Sequence, residues 1–384
     1  MPANIAFLPV DNGDMVLLTL ENGKRVLIDC NIRDVSGDDP PPDVIKQLKD
    51  RLLKDDKGRY YVDAFLLSHP DQDHCRGFKS HFYTGAASDF PADSKKIFIK
   101  ELWSSPLIFR RKTRHHVLCE DAQAFNAEAR RRVRRYRESG TAWVEGDRVL
   151  ILGEDESPEK QQDLGAIVVK TDTRFNAISG QYQSGFSAYL LAPQPKGSDE
   201  DEERRSKNNS SVILQISVGA GWNAQACRFL CGGDAEVDIW EDLWQRHRRA
   251  PDCLQYDVLL APHHCSWHCL SHDSISDLGD KAQVAPDAKS ALSQILDYGR
   301  IVASSKEILD DDDDPPSNRA KQEYDAIAKG QRGRFYETSA YNGEPFELEI
   351  TEAGPSPKKV SQGSKSSTST SKAGAIGAVP LAHG

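Results

Sequence analysis

Four side chains able to bind a metal ion fall within six positions of this chain. They are His69, Asp71, Asp73 and His74, in the stretch Phe65-Leu66-Leu67-Ser68-His69-Pro70-Asp71-Gln72-Asp73-His74. Two imidazoles and two carboxylates suit a borderline or hard divalent ion, zinc or manganese. The apolar run before them reads as a buried strand. Alternate residues leaving a strand point the same way, so His69 and Asp71 can converge on a first ion. Asp73 and His74 lie further round the turn and can reach a second. Two ions roughly 3.5–4 Å apart clamp both oxygens of a hydrolytic displacement at phosphorus or carbonyl carbon.

Other chemistry-bearing residues follow apolar runs elsewhere. Val26-Leu27-Ile28 leads to Asp29. Lys207-Asn208-Asn209-Ser210-Ser211 precedes Val212-Ile213-Leu214. Phe229-Leu230-Cys231-Gly232-Gly233 leads to Asp234, and Val258-Leu259-Leu260-Ala261-Pro262 leads to His263, His264, Cys265 and Ser266.

Taken in order, these pieces resemble the metallo-β-lactamase superfamily. The His-x-Asp-x-Asp-His variant at 69–74 is similar to the soluble hydrolase domain of ComEC-type competence proteins. The resemblance covers roughly residues 4–350 and implies a mixed α/β (α+β) fold, a four-layer αββα sandwich with its site along one sheet edge. It also implies two divalent ions, Zn²⁺ or Mn²⁺ with Mg²⁺ as an alternative. Asp234 would bridge them and His263 would complete the second, with His264 able to exchange roles with its neighbour. Asp71, Asp73 and Asp234 are the expected catalytic carboxylates. Asp29 is expected to accept an imidazole N–H and fix a ligating His. Relatives also use a His between the second and fourth motifs, but residues 117–246 contain none. Asn208 or Asn209 stands near the matching place, as a weak ligand or a substrate contact. This oxygen-rich balance suits manganese or magnesium. Ser210 or Ser211, and Ser266, are candidates for holding substrate oxygens.

Composition bounds the reading. The chain has 384 residues and a net charge of −10, which argues against coating nucleic acid with the whole surface. No apolar run approaches the ~20 residues a bilayer requires. Eight scattered cysteines and no basic, greasy N-terminal stretch point to reduced thiols in a cytoplasmic protein without a membrane partner. Residues 1–352 read as one hydrolase domain, with a basic insertion at about 100–140 and a mobile charged loop at 193–207. Residues 353–384 read as a disordered tail. Gly333–Thr338 and Phe346–Ile350 read as a closing hairpin.

The basic insertion is the clue to substrate. Arg110, Arg111, Arg114, Arg131 and Arg135 belong to a run of cations with few acids among them. Such a run suits a phosphate backbone, with Trp103, Phe109 and Tyr136 for base stacking. The competing reading is a solvated helix face paired with acidic loops. The leading expectation is therefore a phosphodiesterase or nuclease acting on DNA through two-metal hydrolysis. A hydrolase of a small ester, lactone or cyclic nucleotide is the second. A partner-gated or regulatory subunit of a bacterial defence or toxin system is the third. A protein partner or a homo-oligomer is compatible with all three.

Overall fold

A computed structural model describes residues 2–37, 40–111, 117–140, 144–155, 159, 161–205, 207–311 and 313–358. Its centre is two β-sheets packed face to face. The first sheet is built from the N-terminal half and closed by a late strand. Ala3–Phe7, Val16–Thr19 and Arg25–Ile28 form an antiparallel meander. Arg25–Ile28 then runs parallel to Tyr60–Leu66, followed by Phe98–Ser104 and Arg148–Leu152. The second sheet carries Phe186–Ala192, Ile213–Ala220, Asn223–Cys231, Tyr256–Leu260, Ile295–Ala303 and Arg334–Glu337.

The inner faces meet through apolar side chains. Phe7 of the first sheet stands edge-on to Phe229 of the second, ring centroids 6.0 Å apart. Burial of this two-sheet core drives the fold, since each apolar side chain removed from water contributes about 1.5–3 kcal/mol. Helices cover both outer faces. Phe125 of the helix Glu120–Ser139 packs on Phe65, and Trp240 of Val237–His247 lies among the residues outside the second sheet. The order is helix, sheet, sheet, helix, as the expected αββα sandwich requires. No helix among the described residues is long and apolar enough to cross a membrane.

Three expected elements differ. The segment 193–207 is not all loop. Ser198 caps a helix, Asp199–Arg204, through a reciprocal Ser198–Asp201 capping box. That helix is tied down by Glu202, which accepts two hydrogen bonds of 2.8 Å from the Arg111 guanidinium. The expected closing hairpin is two strands in different sheets. Arg334–Glu337 pairs parallel with Ile295–Ala303, while Phe346–Thr351 pairs with Ala3–Phe7. Each finds an open edge, so the chain crosses between sheets at 338–341. The domain also runs past 352. Gly354–Pro357 is a strand antiparallel to Phe346–Thr351, and residues 359–384 lie outside the described residues.

Candidate metal centre

The parallel strands deliver their C-terminal ends to one edge, and the motif residues sit just beyond them. Strand Tyr60–Leu66 ends before His69, and a short helix, Gln72–Cys75, holds Asp73 and His74. Cys30 N–H donates to the His74 carbonyl, bringing the end of Arg25–Ile28 alongside. Val212 N–H donates to the Ser68 carbonyl across the sheets, and His263 N–H to the Gly233 carbonyl. Backbone hydrogen bonds therefore bring together sequence pieces that lie far apart.

At the centre is Asp234, buried, with its two oxygens turned to different imidazoles. Its Oδ1 lies 2.9 Å from His74 Nε2 and 3.6 Å from His264 Nε2. Its Oδ2 lies 3.4 Å from His69 Nε2 and 3.7 Å from His263 Nε2. Asp73 joins the first pair, 3.3 Å from His264 Nε2, and Asp71 stands by the second, 4.0 Å from His69 Nε2. The structure thus places His264 with Asp73 and His74, where His263 was expected, and sets His263 across Asp234 with His69. Both histidines come from a turn with left-handed backbone, φ 48° and 54°, and Cys265 follows at 72°. Each such non-glycine residue costs of order 1–2 kcal/mol, and the turn sends the two adjacent rings to opposite sides of one carboxylate.

Among the described residues, buried atoms without hydrogen-bond partners gather here. Asp234 Oδ1, His69 Nε2, His263 Nδ1, Asp14 Oδ1 and Asn208 Oδ1 are all in that state. The Asp234 Oδ1 to His74 contact is short but not aligned as a hydrogen bond. Burying such groups unsatisfied is costly, and a cation among imidazole and carboxylate donors removes the cost. Asp14, His74, Asp234 and His264 each offer an atom within 4.8 Å of the others. The donor set therefore fits a divalent ion.

Asp14 was missed in the sequence because Asn12-Gly13 reads as a turn. The signal available was a carboxylate directly after that turn and before an apolar strand. Its oxygens lie 3.6 Å from His264 Nδ1 and 3.9 Å from His74 Nδ1, behind the two rings. We therefore read it as a partner to the histidines rather than a ligand. Asp29 holds the same relation to His74, with Oδ2 2.8 Å from Nδ1. It also accepts from Ser68 N at 2.7 Å and Ser68 Oγ at 2.5 Å. Ser68 Oγ, having donated to Asp29, is left to accept from His69 Nδ1 at 3.1 Å. These bonds leave the Nε2 lone pairs of His69 and His74 facing Asp234.

Two glycines permit the approach. Gly13, at φ 142°, donates its N–H to His264 Nδ1 at 3.2 Å, and a Cβ there would lie 2.6 Å from the Asp73 carbonyl oxygen. Gly233, at φ 50°, is where a Cβ would stand only 3.0 Å from Ser68 Oγ and 3.1 Å from Ser211.

Electrostatics are strongly coupled. Burial disfavours the His264 imidazolium, but Asp234, Asp14 and Asp73 outweigh it and lift its pKa to about 10. His74 is raised for the same reason by Asp234 and Asp29 against its burial. Burial pushes the Asp73 and Asp234 carboxyls up, and the neighbouring imidazoles more than reverse it. Without an ion, the cluster holds protons where the metal would sit.

Other expected residues have structural work. Ser211 Oγ donates to the Asn208 carbonyl at 2.6 Å and accepts from Asp234 N–H at 3.3 Å, so it positions Asp234. Ser266 is fully buried and caps the His268 N–H, and Ser210 bonds the Arg205 carbonyl. Asn209 Oδ1 accepts from Glu236 N–H at 2.9 Å at the start of the helix Val237–His247. Asn208 reaches Glu236 at 3.5 Å through its amide nitrogen.

The basic insertion is largely neutralised within the fold. Arg110 pairs with Asp155 and Arg111 with Glu202. Arg131 pairs with Glu128 and Asp147, and Arg135 with Glu138. Arg114 lies outside the described residues. Trp103 is fully buried against Phe175 and Phe186, and Phe109 packs on Phe125. Trp103 and Phe109 are therefore buried in the core and not presented for base stacking, while Tyr136 is half-buried.

No family model matches the chain, and no curated protein matches it. Among solved structures, the chain is similar to Igni18, a metallo hydrolase from the hyperthermophilic archaeon Ignicoccus hospitalis. The identity is 11%, the TM-score 0.38, and the match covers 91% of this chain and 100% of the other.

Proposed function

We propose that this chain is a metal-dependent hydrolase that cleaves phosphodiesters, with DNA as the favoured substrate. The observation that carries the reading is Asp234, whose two oxygens face His74 with His264 and His69 with His263. The residues that would hold the ions are His74, His264 and Asp73 on one side and His69, His263 and Asp71 on the other, sharing Asp234. Ions bound there supply Lewis acidity and a nucleophile at neutral pH.

The protein's own residues do the rest. Asp29 and Ser68 fix the tautomers of His74 and His69. Asp14 lies 3.6 Å from the outer nitrogen of His264 and offsets charge on its ring. Ser211 fixes Asp234. The side chains of Asp71 and Asp73 keep 18% and 35% of their surface exposed, whereas that of Asp234 keeps 3%. Those two carboxylates are therefore the groups placed to exchange a proton between the reacting centre and solvent.

The substrate class rests on the resemblance of the 69–74 stretch to the ComEC-type nuclease domain. A small phosphodiester, such as a cyclic nucleotide, is the second reading. It is favoured by the ion-paired state of Arg110, Arg111 and Arg131, which leaves them little charge for a DNA backbone.

The test is digestion of labelled single- and double-stranded DNA, cyclic nucleotides and a lactone panel. The chelator-stripped chain would be reloaded with Mn²⁺, Mg²⁺ or Zn²⁺, with Asp73→Ala/His74→Ala as control. Metal-dependent phosphodiester cleavage lost in the variant supports the reading. Turnover of lactones alone would refute it.

A further inference from the structure

A cavity of about 670 Å³ opens between the helix Glu120–Ser139 and the edge of the first sheet. None of its lining residues belongs to the Asp234 cluster. Its floor is apolar, formed by Phe109, Val149, Ile151 and Leu164, all nearly buried. The helix wall is a single stripe. Asn126, Ala129, Arg130, Val133, Arg134 and Arg137 recur at three- and four-residue steps, so they share one face. Phe125 and Arg132, on another face, anchor the helix to the first sheet through Phe65 and the carbonyls of Ile99 and Arg148.

Charge pairing along this helix is uneven. Arg131, Arg132, Arg135 and Arg137 each have a carboxylate partner. Arg130 and Arg134, one turn apart at the cavity, have none among the described residues. The Arg110–Asp155 ion pair and Gln161 also line the cavity. Two guanidiniums with no carboxylate partner among the described residues, beside an apolar floor, are suited to an anion that brings an apolar body with it. The Asn126 amide and the Ser104 hydroxyl also line the cavity without a partner among the described residues. They can meet the donor and acceptor edge of a nucleobase, whereas an acyl chain gives them nothing to bond. The volume lies within the range of about 300–1,000 Å³ typical of small-ligand sites.

We infer that this cavity is a binding site for a mononucleotide, the base on the apolar floor and the phosphate between Arg130 and Arg134. The site does not depend on the phosphodiesterase reading, because occupancy requires no turnover. It would give the protein a means of sensing or retaining nucleotides away from the Asp234 cluster.

Isothermal titration of the full chain with AMP, GMP, CMP and UMP tests this, with adenosine and inorganic phosphate as half-ligands. At least one monophosphate is expected to bind with a Kd below about 1 mM. Arg130→Glu/Arg134→Glu should weaken it by about tenfold or more, as loss of charged hydrogen bonds implies. Asp234→Asn should leave it unchanged. No binding by any monophosphate overturns the inference. So does binding of inorganic phosphate as tight as that of the nucleotide, which would leave the apolar floor idle. An unchanged Kd in the double variant, or loss of binding in Asp234→Asn, also overturns it, the last by moving the ligand to the metal cluster. The half-ligand comparison uses the unaltered chain, so the result does not rest on the variant's folding.

Discussion

The Oδ1 oxygen of Asp234 lies 2.9 Å from His74 Nε2, while its other oxygen is turned toward His69 and His263. One buried carboxylate is thus shared by two sets of donors. Asp234→Asn should remove more metal affinity than loss of an outer partner does, and so exceed about 100-fold. Bound metal per chain, measured by mass spectrometry after dialysis, checks it. Retention of the full metal content would show that Asp234 is not central.

Asp29 and Asp14 face the outer nitrogens of the histidines. Asp29→Asn and Asp14→Asn should each lower metal affinity by about 10–100-fold while leaving the fold intact. Competition with a chromophoric chelator reads the affinity. A loss as large as that of Asp234→Asn would instead make either residue a direct ligand.

Proton competition sets a pH dependence. In the metal-free chain the His264 pKa is raised from 6.5 to about 10 by Asp234, Asp14 and Asp73 against burial. A group whose folded pKa is raised stabilises the fold fully below its unfolded value. That contribution is lost as pH rises from about 6.5 through 10. Metal affinity should move the opposite way over the same window, because the ion displaces that proton. Urea unfolding of the metal-free chain and calorimetric metal titrations, each from pH 6 to 10, would show the two trends.

Much of this centre was legible in the sequence. The order of apolar strand followed by His69, Asp234 or His263 is local, and strand termini dictate where such residues emerge. The division of labour between His263 and His264 was not legible. It depends on three successive left-handed residues, a backbone choice that neither side chain signals. Asp14 was hidden because Asn-Gly marks a turn regardless of what the turn approaches. The pairing of the arginine run was not legible for another reason. Whether a cation is free depends on its partners, and Glu202 for Arg111 or Asp147 for Arg131 cannot be found by spacing.

Arg132 shows how structural that run is. It is buried, donates to Glu128 at 2.7 Å and bonds the carbonyls of Arg148 and Ile99 at 2.9 and 3.1 Å. Glu128→Ala leaves a buried cation unpaired and should cost about 3–5 kcal/mol. Urea denaturation gives the number. A cost below about 1 kcal/mol would match an exposed pair and contradict the burial.

Gly13 closes on both the Asp73 carbonyl and His264. Gly13→Ala adds a Cβ with nowhere to go at a positive φ. It should destabilise the chain by about 1–3 kcal/mol and weaken metal binding with it. Thermal unfolding with and without metal separates the two effects. A variant as stable as the parent, with equal metal affinity, would show that the turn is not closed as described.

The central claim is that phosphodiester cleavage depends on ions held around Asp234. The most direct measurement is cleavage rate against equivalents of Mn²⁺ added to the stripped chain, with bound metal counted in the same samples. The rate should rise with loading and level off at two ions per chain, and Asp234→Asn should neither load nor cleave. Cleavage by the metal-free chain, or a fully loaded chain that cleaves no phosphodiester, would contradict the account.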